Sequence, residues 1–126
     1  MFSGNAGFSR AAFSGRALFD EAVFSGGVSL REAVFSGEAG FGGARFVGDA
    51  WFGVVTFAGS AWFSSATLAG SARFDATRFS GEAAFHRTAF TGGARFAGAV
   101  FSNSADFGGA VFSGDGLGDQ RNSGWR

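Results

Sequence analysis

The chain has 126 residues, enough for one domain, with 19 Phe, 23 Gly and no Cys, Pro or Tyr. Without Cys it has no disulfide framework, thiolate metal site or cysteine nucleophile. Ten basic and ten acidic side chains cancel, so the net charge favours binding to neither nucleic acid nor an anionic membrane. Glycine at this level is typical of disordered chains, but those are poor in aromatic residues, which predicts an ordered fold that buries the Phe.

Large apolar residues recur with a period of 11 in two interleaved series, separated by steps of 6 and 5. The first series is Phe2, Phe13, Phe24, Phe35, Phe46, Phe57, Leu68, Phe79, Phe90, Phe101 and Phe112. The second series is Phe8, Phe19, Leu30, Phe41, Phe52, Phe63, Phe74, Phe85, Phe96 and Phe107. Two residues before each of them, from Ala6 onwards, stands a small residue, Ala, Val or Thr. Because residues two apart on an extended chain share a face, both are expected to point inward.

A glycine, or once Asn103, stands two residues after each first-series Phe from Gly4 onwards. Glycine and asparagine tolerate positive φ, so we expect a left-handed corner in the six-residue unit. An 11-residue period also fits a helix, but an interior glycine in every repeat costs about 1 kcal/mol each relative to Ala. The pattern therefore favours a β-solenoid.

Units such as Ala33–Gly37 and Ala94–Gly98 resemble pentapeptide repeats, in which a small residue and a polar residue precede a central Leu or Phe. The resemblance covers residues 2 to about 114. It implies a right-handed, four-sided β-helix, in which two periods of this chain make one 22-residue coil. This chain departs from the simple pattern because every second unit has six residues and because Phe largely replaces Leu.

The period leaves open a two-sided alternative with an 11-residue coil, and charge pairs distinguish the two lengths. The 22-residue coil gives three pairs: Arg10 with Glu32, Arg16 with Glu38, and the like-charged Arg73 with Arg95. The 11-residue coil gives four: Asp20 with Arg31, Arg95 with Asp106, and the like-charged Glu21 with Glu32 and Glu38 with Asp49. Exposed pairs contribute too little free energy to decide between them. The family resemblance favours four sides.

The repeats predict one solenoid domain over residues 1–114. Residues 115–126 lose the pattern and are expected to form a tail or a partial cap. An uncapped coil exposes strand edges, so a homo-oligomer formed by end-to-end pairing of coils is expected. The start of the chain has no charged region followed by an apolar run, which predicts a cytoplasmic protein.

Catalytic chemistry has little support in this sequence. A solenoid filled with Phe offers no pocket in which polar groups could converge. The single histidine, His86, falls at an outward position. With one His and no Cys, the sequence predicts neither a metal site nor a cofactor. We expect no enzymatic activity.

One column of outward residues stands out, because Trp and Arg are the favoured anchors of protein interfaces. The candidate partner-binding residues are Trp51, Trp62, Arg73 and Arg95. With 22-residue coils, Trp51 and both arginines would share one face and Trp62 would lie on the opposite one.

The leading function is therefore a structural or interaction module that binds a protein partner, with no direct contact to nucleic acid or membrane. The family resemblance implies an alternative, in which a DNA-mimicking surface binds DNA gyrase or another topoisomerase. That mechanism needs a strongly acidic surface, and here the charges balance. Self-assembly through uncapped coils is the third possibility.

Overall fold

The computed structural model describes residues 3–113, which form a parallel β-solenoid of five coils. The first coil contains β1 (Ala6–Gly7), β2 (Ala12–Phe13), β3 (Ala17–Leu18) and β4 (Val23–Phe24). The second contains β5 (Val28–Ser29), β6 (Val34–Phe35), β7 (Ala39–Gly40) and β8 (Arg45–Phe46). The third contains β9 (Ala50–Trp51), β10 (Thr56–Phe57), β11 (Ala61–Trp62) and β12 (Thr67–Leu68).

The fourth coil contains β13 (Ala72–Arg73), β14 (Arg78–Phe79), β15 (Ala83–Ala84) and β16 (Ala89–Phe90). The fifth contains β17 (Ala94–Arg95), β18 (Val100–Phe101), β19 (Ala105–Asp106) and β20 (Val111–Phe112). Corresponding strands of successive coils pair in parallel and build four five-stranded sheets. We number these sheets as faces 1 to 4, after β1 to β4, and name each corner by the two faces it joins.

The register confirms the four-sided, 22-residue coil and excludes the two-sided alternative. Phe13 pairs with Phe35, and Phe35 pairs in turn with Phe57. Both opposite-charge pairs of the longer coil form, Arg10 Nε to Glu32 Oε1 at 2.8 Å and Arg16 Nε to Glu38 Oε1 at 3.2 Å. The like-charged pair forms too, with Arg73 beside Arg95. Residues 115–126, predicted as a tail or partial cap, lie outside the described residues.

The core consists of four ladders of Phe side chains that run along the solenoid axis, two of which contain one leucine each, Leu30 and Leu68. Within a ladder the rings lie nearly parallel: Phe13 and Phe35 have centroids 4.6 Å apart and planes at 4°. Between ladders they meet edge to face, as Phe52 and Phe63 do at 5.4 Å and 83°, or at a tilt, as Phe52 and Phe57 do at 6.3 Å and 34°. The hydrogen-bonded spacing of parallel strands, about 4.8 Å, sets the first distance. Edge contacts between ladders are the geometry that aromatic quadrupoles prefer.

Small residues fill the space beside the rings, as the sequence predicts. Ala33, Ala39 and Ala61 are completely buried. Two threonines, Thr77 and Thr88, take the same kind of position and are also completely buried. Their hydroxyls donate hydrogen bonds to the carbonyl oxygens of Phe52 and Phe63. This removes the cost of an unsatisfied buried hydroxyl.

The prediction of left-handed corners at the glycine column is wrong. Apart from Gly93, residues with positive φ lie two positions after each second-series residue, in the five-residue unit at corners 1–2 and 3–4. They are Arg10, Glu21, Glu32, Gly43, Val54, Ser65, Ala76, Arg87, Gly98 and Gly109. A hydrogen bond closes the first of these turns, from Ala11 N to Phe8 O at 3.0 Å. Positive φ at the third residue of such a turn is type II geometry.

The glycines of the six-residue unit are required for a different reason, the close approach of successive backbones at corners 2–3 and 4–1. A Cβ on Gly59 would lie 2.7 Å from Gly37 O, and one on Gly26 would lie 2.8 Å from Gly4 O. A side chain at such a distance requires the local backbone to shift, and the column admits one only in the fifth coil, at Asn103. In the first coil the same positions, Gly4 and Gly15, have no described atom within 4 Å of the place that a Cβ would take.

Replacing Gly59 with alanine is expected to destabilise the fold by about 1–3 kcal/mol, because the added methyl group overpacks against the carbonyl of Gly37. Gly15→Ala is the matched control in the same column, where the methyl group meets open space. It should leave stability unchanged or raise it slightly by restricting the unfolded chain. Urea unfolding of both variants tests this, and equal losses would contradict the close-approach explanation.

A phenylalanine in the middle of a ladder should contribute more to the free energy of unfolding than one at the end of the ladder. Phe57 is completely buried between Phe35 and Phe79, so Phe57→Ala should cost about 3–5 kcal/mol in the free energy of unfolding. Phe13 is only half-buried at the end of the same ladder, and Phe13→Ala should cost clearly less. Denaturant unfolding measures both. A larger loss for Phe13→Ala would show that ring stacking does not determine core stability.

Candidate functional site

The candidate site lies on face 1, whose outward residues form a single column in register. From the first coil to the fifth they are Gly7, Ser29, Trp51, Arg73 and Arg95. The column therefore changes from small residues to one aromatic residue and then to two cations. This places three of the four predicted partner-binding residues on adjacent strands.

Trp51 is 43% exposed and stands between two shallow depressions. The first has a volume of about 510 Å³, and Gly7 and Ser29 form part of its floor. The second has a volume of about 290 Å³ and is lined by Arg31, Gly53, Arg73 and Asp75 as well as by Trp51. Both exist because glycine or serine stands where neighbouring coils carry larger side chains.

Side-chain hydrogen bonds to the backbone fix the rim of the first depression at corner 4–1. Asn5 Oδ1 accepts a hydrogen bond from Gly27 N at 2.9 Å. Asp49 Oδ1 accepts one from Ser71 N at 3.0 Å. Each side chain thereby ties its own coil to the next. The rim is rigid, so binding a partner here orders few groups.

The second depression contains polar groups that the chain does not use for its own structure. Among residues 3–113, Arg31 and Arg73 form neither a salt bridge nor a side-chain hydrogen bond. Asp75 Oδ1 is buried and has no hydrogen-bond partner there. Native structures rarely leave buried acceptors unsatisfied. The guanidinium groups of Arg31 and Arg73 are exposed and available to a binding partner, whereas Asp75 Oδ1 is enclosed by the chain itself.

Val54, at corner 1–2 of the same coil as Trp51, is a strained residue. Its φ is 58° and its side chain is 47% exposed. It is the only β-branched residue among those with positive φ in the described chain, and for such residues this conformation is an outlier. Strained backbone of this kind clusters at functional sites.

Trp62 lies on face 3, opposite the other candidates, between Gly40 and Ala84 in the register. Its Nε1 donates a hydrogen bond to Glu38 Oε2 at 3.4 Å, so the ring is partly buried against its own solenoid. The structure thus separates the two tryptophans, as the 22-residue coil predicts. The role of all four residues in partner binding stays a prediction.

The described chain brings together few side chains of the types that perform catalysis or hold a metal ion. Residues 3–113 contain no group of three or more His, Asp or Glu side chains that could hold a metal ion. His86 Nδ1 lies 3.9 Å from Asp106 Oδ2, with both side chains about half exposed. No helix between residues 3 and 113 is long and apolar enough to cross a membrane.

Sequence reasoning missed Arg31, Gly53, Val54 and Asp75. The first, second and fourth follow one another at 22-residue intervals, so writing the sequence in rows of that length would have placed them in one column. No sequence pattern marks Val54, because its strain arises only if the left-handed corner lies in the five-residue unit.

Val54→Gly should raise stability by up to about 1 kcal/mol, since glycine removes the steric cost of the left-handed conformation. Val47→Gly is the control, because Val47 is a similarly exposed valine without positive φ. That change should be neutral or destabilising. Thermal unfolding of both variants measures the two changes in stability. Equal shifts in Tm would refute the assignment of strain to Val54.

Comparison with known proteins agrees with this repeat architecture. A family model described as pentapeptide repeats (9 copies) matches residues 19–67 and 55–100. Neither the curated proteins nor the solved structures contain a significant match to the chain. Since the matched residues make up more than half of the sequence and the solenoid has the four sheets that the family pattern implies, the chain belongs to the pentapeptide-repeat family.

Proposed function

We propose that this protein is a non-enzymatic interaction module that binds a protein partner through face 1. The observation that carries the proposal is the exposure of Trp51, at 43%, in register with Arg73 and Arg95. Tryptophan and arginine are the residues whose truncation most often weakens protein interfaces. Here they stand on adjacent strands of one rigid sheet.

The surroundings of Trp51 supply what an anchor residue needs. A partner side chain can pack against either side of the ring, in the depression over Gly7 and Ser29 or in the one beside Arg73. The unpaired Arg31 and Arg73 favour an acidic group in the second depression. These features support a partner with an acidic segment.

The solenoid itself favours binding without rearrangement. Each face 1 strand is held by hydrogen bonds to the coils beside it, for example from Phe8 N to Ser29 O at 2.7 Å and from Phe52 N to Arg73 O at 2.7 Å. Outward residues on neighbouring coils are spaced by about 4.8 Å. A surface of fixed spacing avoids the entropy loss that ordering a flexible loop would cause.

The alternative in which the chain mimics DNA and binds a topoisomerase stays a prediction. Outward arginines weigh against the uninterrupted acidic surface it needs: Arg73 on face 1, Arg78 on face 2 and Arg45 on face 4. A supercoiling assay with purified gyrase tests it directly.

Truncation of Trp51 should weaken partner binding about thirtyfold, as expected for an interface anchor. The experiment captures proteins from a cell extract on immobilised wild-type chain, on Trp51→Ala and on Trp62→Ala, with quantification by mass spectrometry. Trp62→Ala removes an equally large outward side chain from the opposite face, so it should retain the partner. The partner is then purified and its affinity for all three chains is measured by calorimetry.

Two results would overturn the proposal. Equal affinity of the wild-type chain and Trp51→Ala would remove face 1 as the binding surface. Equal losses in both variants would attribute the effect to general destabilisation, which unfolding curves of the two variants detect independently.

A further inference from the structure

The first depression beside Trp51 has the features of a ligand site distinct from the second depression. It has a volume of about 510 Å³ and extends from Gly7 in the first coil to Trp51 in the third. Its floor is low because a Cβ on Gly7 would meet no described atom within 4 Å. The described residues that line it include one carboxylate, that of Asp49, and no arginine. The depression therefore does not favour an anion.

Face 3 has the equivalent space, and there the chain fills it with a side chain of its own. The 11-residue period relates Gly7 on face 1 to Leu18 on face 3. Leu18 Cδ2 lies 3.1 Å from the position that a Cβ on Gly40 would take, so the leucine covers the next coil. On face 1 glycine stands in place of the leucine, and the space stays open.

The polar groups beside the two tryptophans differ in the same way. At corner 2–3, Glu38 accepts hydrogen bonds from Arg16 Nε at 3.2 Å and from Trp62 Nε1 at 3.4 Å. The chain thus uses these groups for its own structure. At corner 4–1 the period places Gly27 where face 3 has Glu38. Within residues 3–113, Trp51 Nε1 has no hydrogen-bond partner.

Two side chains at corner 4–1 offer one hydrogen-bond donor group and one acceptor to a ligand. The Oδ1 atoms of Asn5 and Asp49 are occupied by backbone N–H groups of the next coil. Asn5 Nδ2 can only donate and Asp49 Oδ2 can only accept. Neither atom has a partner among the described residues. Both side chains are already fixed through Oδ1, so a ligand would not have to order them.

The distance between these groups indicates the length of the ligand. Asn5 belongs to the first coil and Asp49 to the third, in one column of the corner. Two coils correspond to about 10 Å along the solenoid axis. Two linked six-membered sugar rings span a comparable length. Their hydroxyl groups both donate and accept, so one such molecule can satisfy both side chains.

The exposed tryptophan also suits a sugar ring. One face of a pyranose carries polarised C–H groups, which the negative face of an aromatic ring attracts. Trp51 is 43% exposed, and its free Nε1 can donate to a ring hydroxyl. An organic cation is recognised by a cage of several aromatic rings. Trp51 is the one aromatic residue among the described residues that line this depression.

We propose that this depression binds a neutral saccharide of at least two rings, with one ring against Trp51 and hydroxyl groups on Asn5 Nδ2 and Asp49 Oδ2. The site shares Trp51 with the protein-binding surface proposed above but does not rest on it, because the arginines of the second depression take no part. Such rings occur in free oligosaccharides and in polysaccharides, which this site recognises by the same chemistry.

NMR titration of the 15N-labelled full chain with maltose, cellobiose, lactose and chitobiose tests the proposal. The amide resonances of Gly27 and Ser71 should shift, because they donate to the two side chains that hold the ligand. The indole resonance of Trp51 should shift as well. We expect a dissociation constant of about 1 mM for at least one disaccharide, since the depression is open. Retention of the chain on amylose or cellulose would identify a polysaccharide as the source, and disaccharide binding without retention a free oligosaccharide.

Asp49→Asn should raise that dissociation constant about tenfold. Asparagine keeps its one oxygen for Ser71 N and then presents a donor where the ligand needs an acceptor. Asp20→Asn is the matched control. Asp20 Oδ1 accepts a hydrogen bond from Gly42 N in the same way, but the residue lies outside the depression, at corner 3–4. That change should leave saccharide binding unaltered.

Gly7→Leu supplies a steric test, because it gives face 1 the residue that face 3 has at Leu18. A Cβ at this position meets no described neighbour, so stability should not fall, while saccharide binding should be lost. The variant keeps Trp51 and the second depression. It therefore separates saccharide binding from capture of a protein partner.

Three outcomes would overturn the proposal. Resonances of Gly27, Ser71 and Trp51 that stay in place with all four disaccharides would exclude the site. Equal weakening by Asp49→Asn and Asp20→Asn would remove the assigned carboxylate. Undiminished binding to Gly7→Leu would place the saccharide elsewhere. None of these results decides whether a protein partner binds, which the capture experiment with Trp51→Ala tests separately.

Discussion

The structure depends on one constraint, the stacking of backbones at the hydrogen-bonded spacing of parallel strands. At about 4.8 Å per coil, side chains one coil apart must fit directly upon one another. Flat aromatic rings meet this requirement, as Phe57 and Phe79 show with centroids 5.1 Å apart. At corners 2–3 and 4–1 a Cβ would point at the backbone of the preceding coil, and one on Gly59 would lie only 2.7 Å from Gly37 O, so glycine is favoured there. The two excesses in the composition, of Phe and of Gly, both follow from this spacing.

The same constraint explains how much of the fold could be predicted. Inward positions must repeat in every coil, so the Phe series and the small residues beside them were visible as a period of 11. The coil length was not, because an 11-residue period fits two or four sides equally well. The family resemblance favoured four sides, and the register of Phe13 with Phe35 establishes them.

The corners show where sequence reasoning failed. Glycine is favoured both by positive φ and by close backbone contact, and a one-letter pattern does not separate these causes. The left-handed corners instead carry residues as different as Glu21, Val54 and Arg87. Hydrogen bonds within and between coils hold them in that conformation, so no residue type marks the position.

The candidate site could be predicted only in part. Trp51 and Arg73 were prominent by residue type, but the unpaired Asp75 oxygen became apparent only in three dimensions.

The uninterrupted register of the ladders determines how such a molecule can change in length. Inserting one residue within a strand would turn the rest of that strand outward and break its register with the coils beside it, because alternation along a strand has a period of two. Inserting one 11-residue period would keep the alternation but move everything beyond it to the opposite face, the relation that already separates Trp51 from Trp62. Only a full 22-residue coil preserves both packing and surface. The protein can thus lengthen or shorten without loss of its surface pattern only in whole coils.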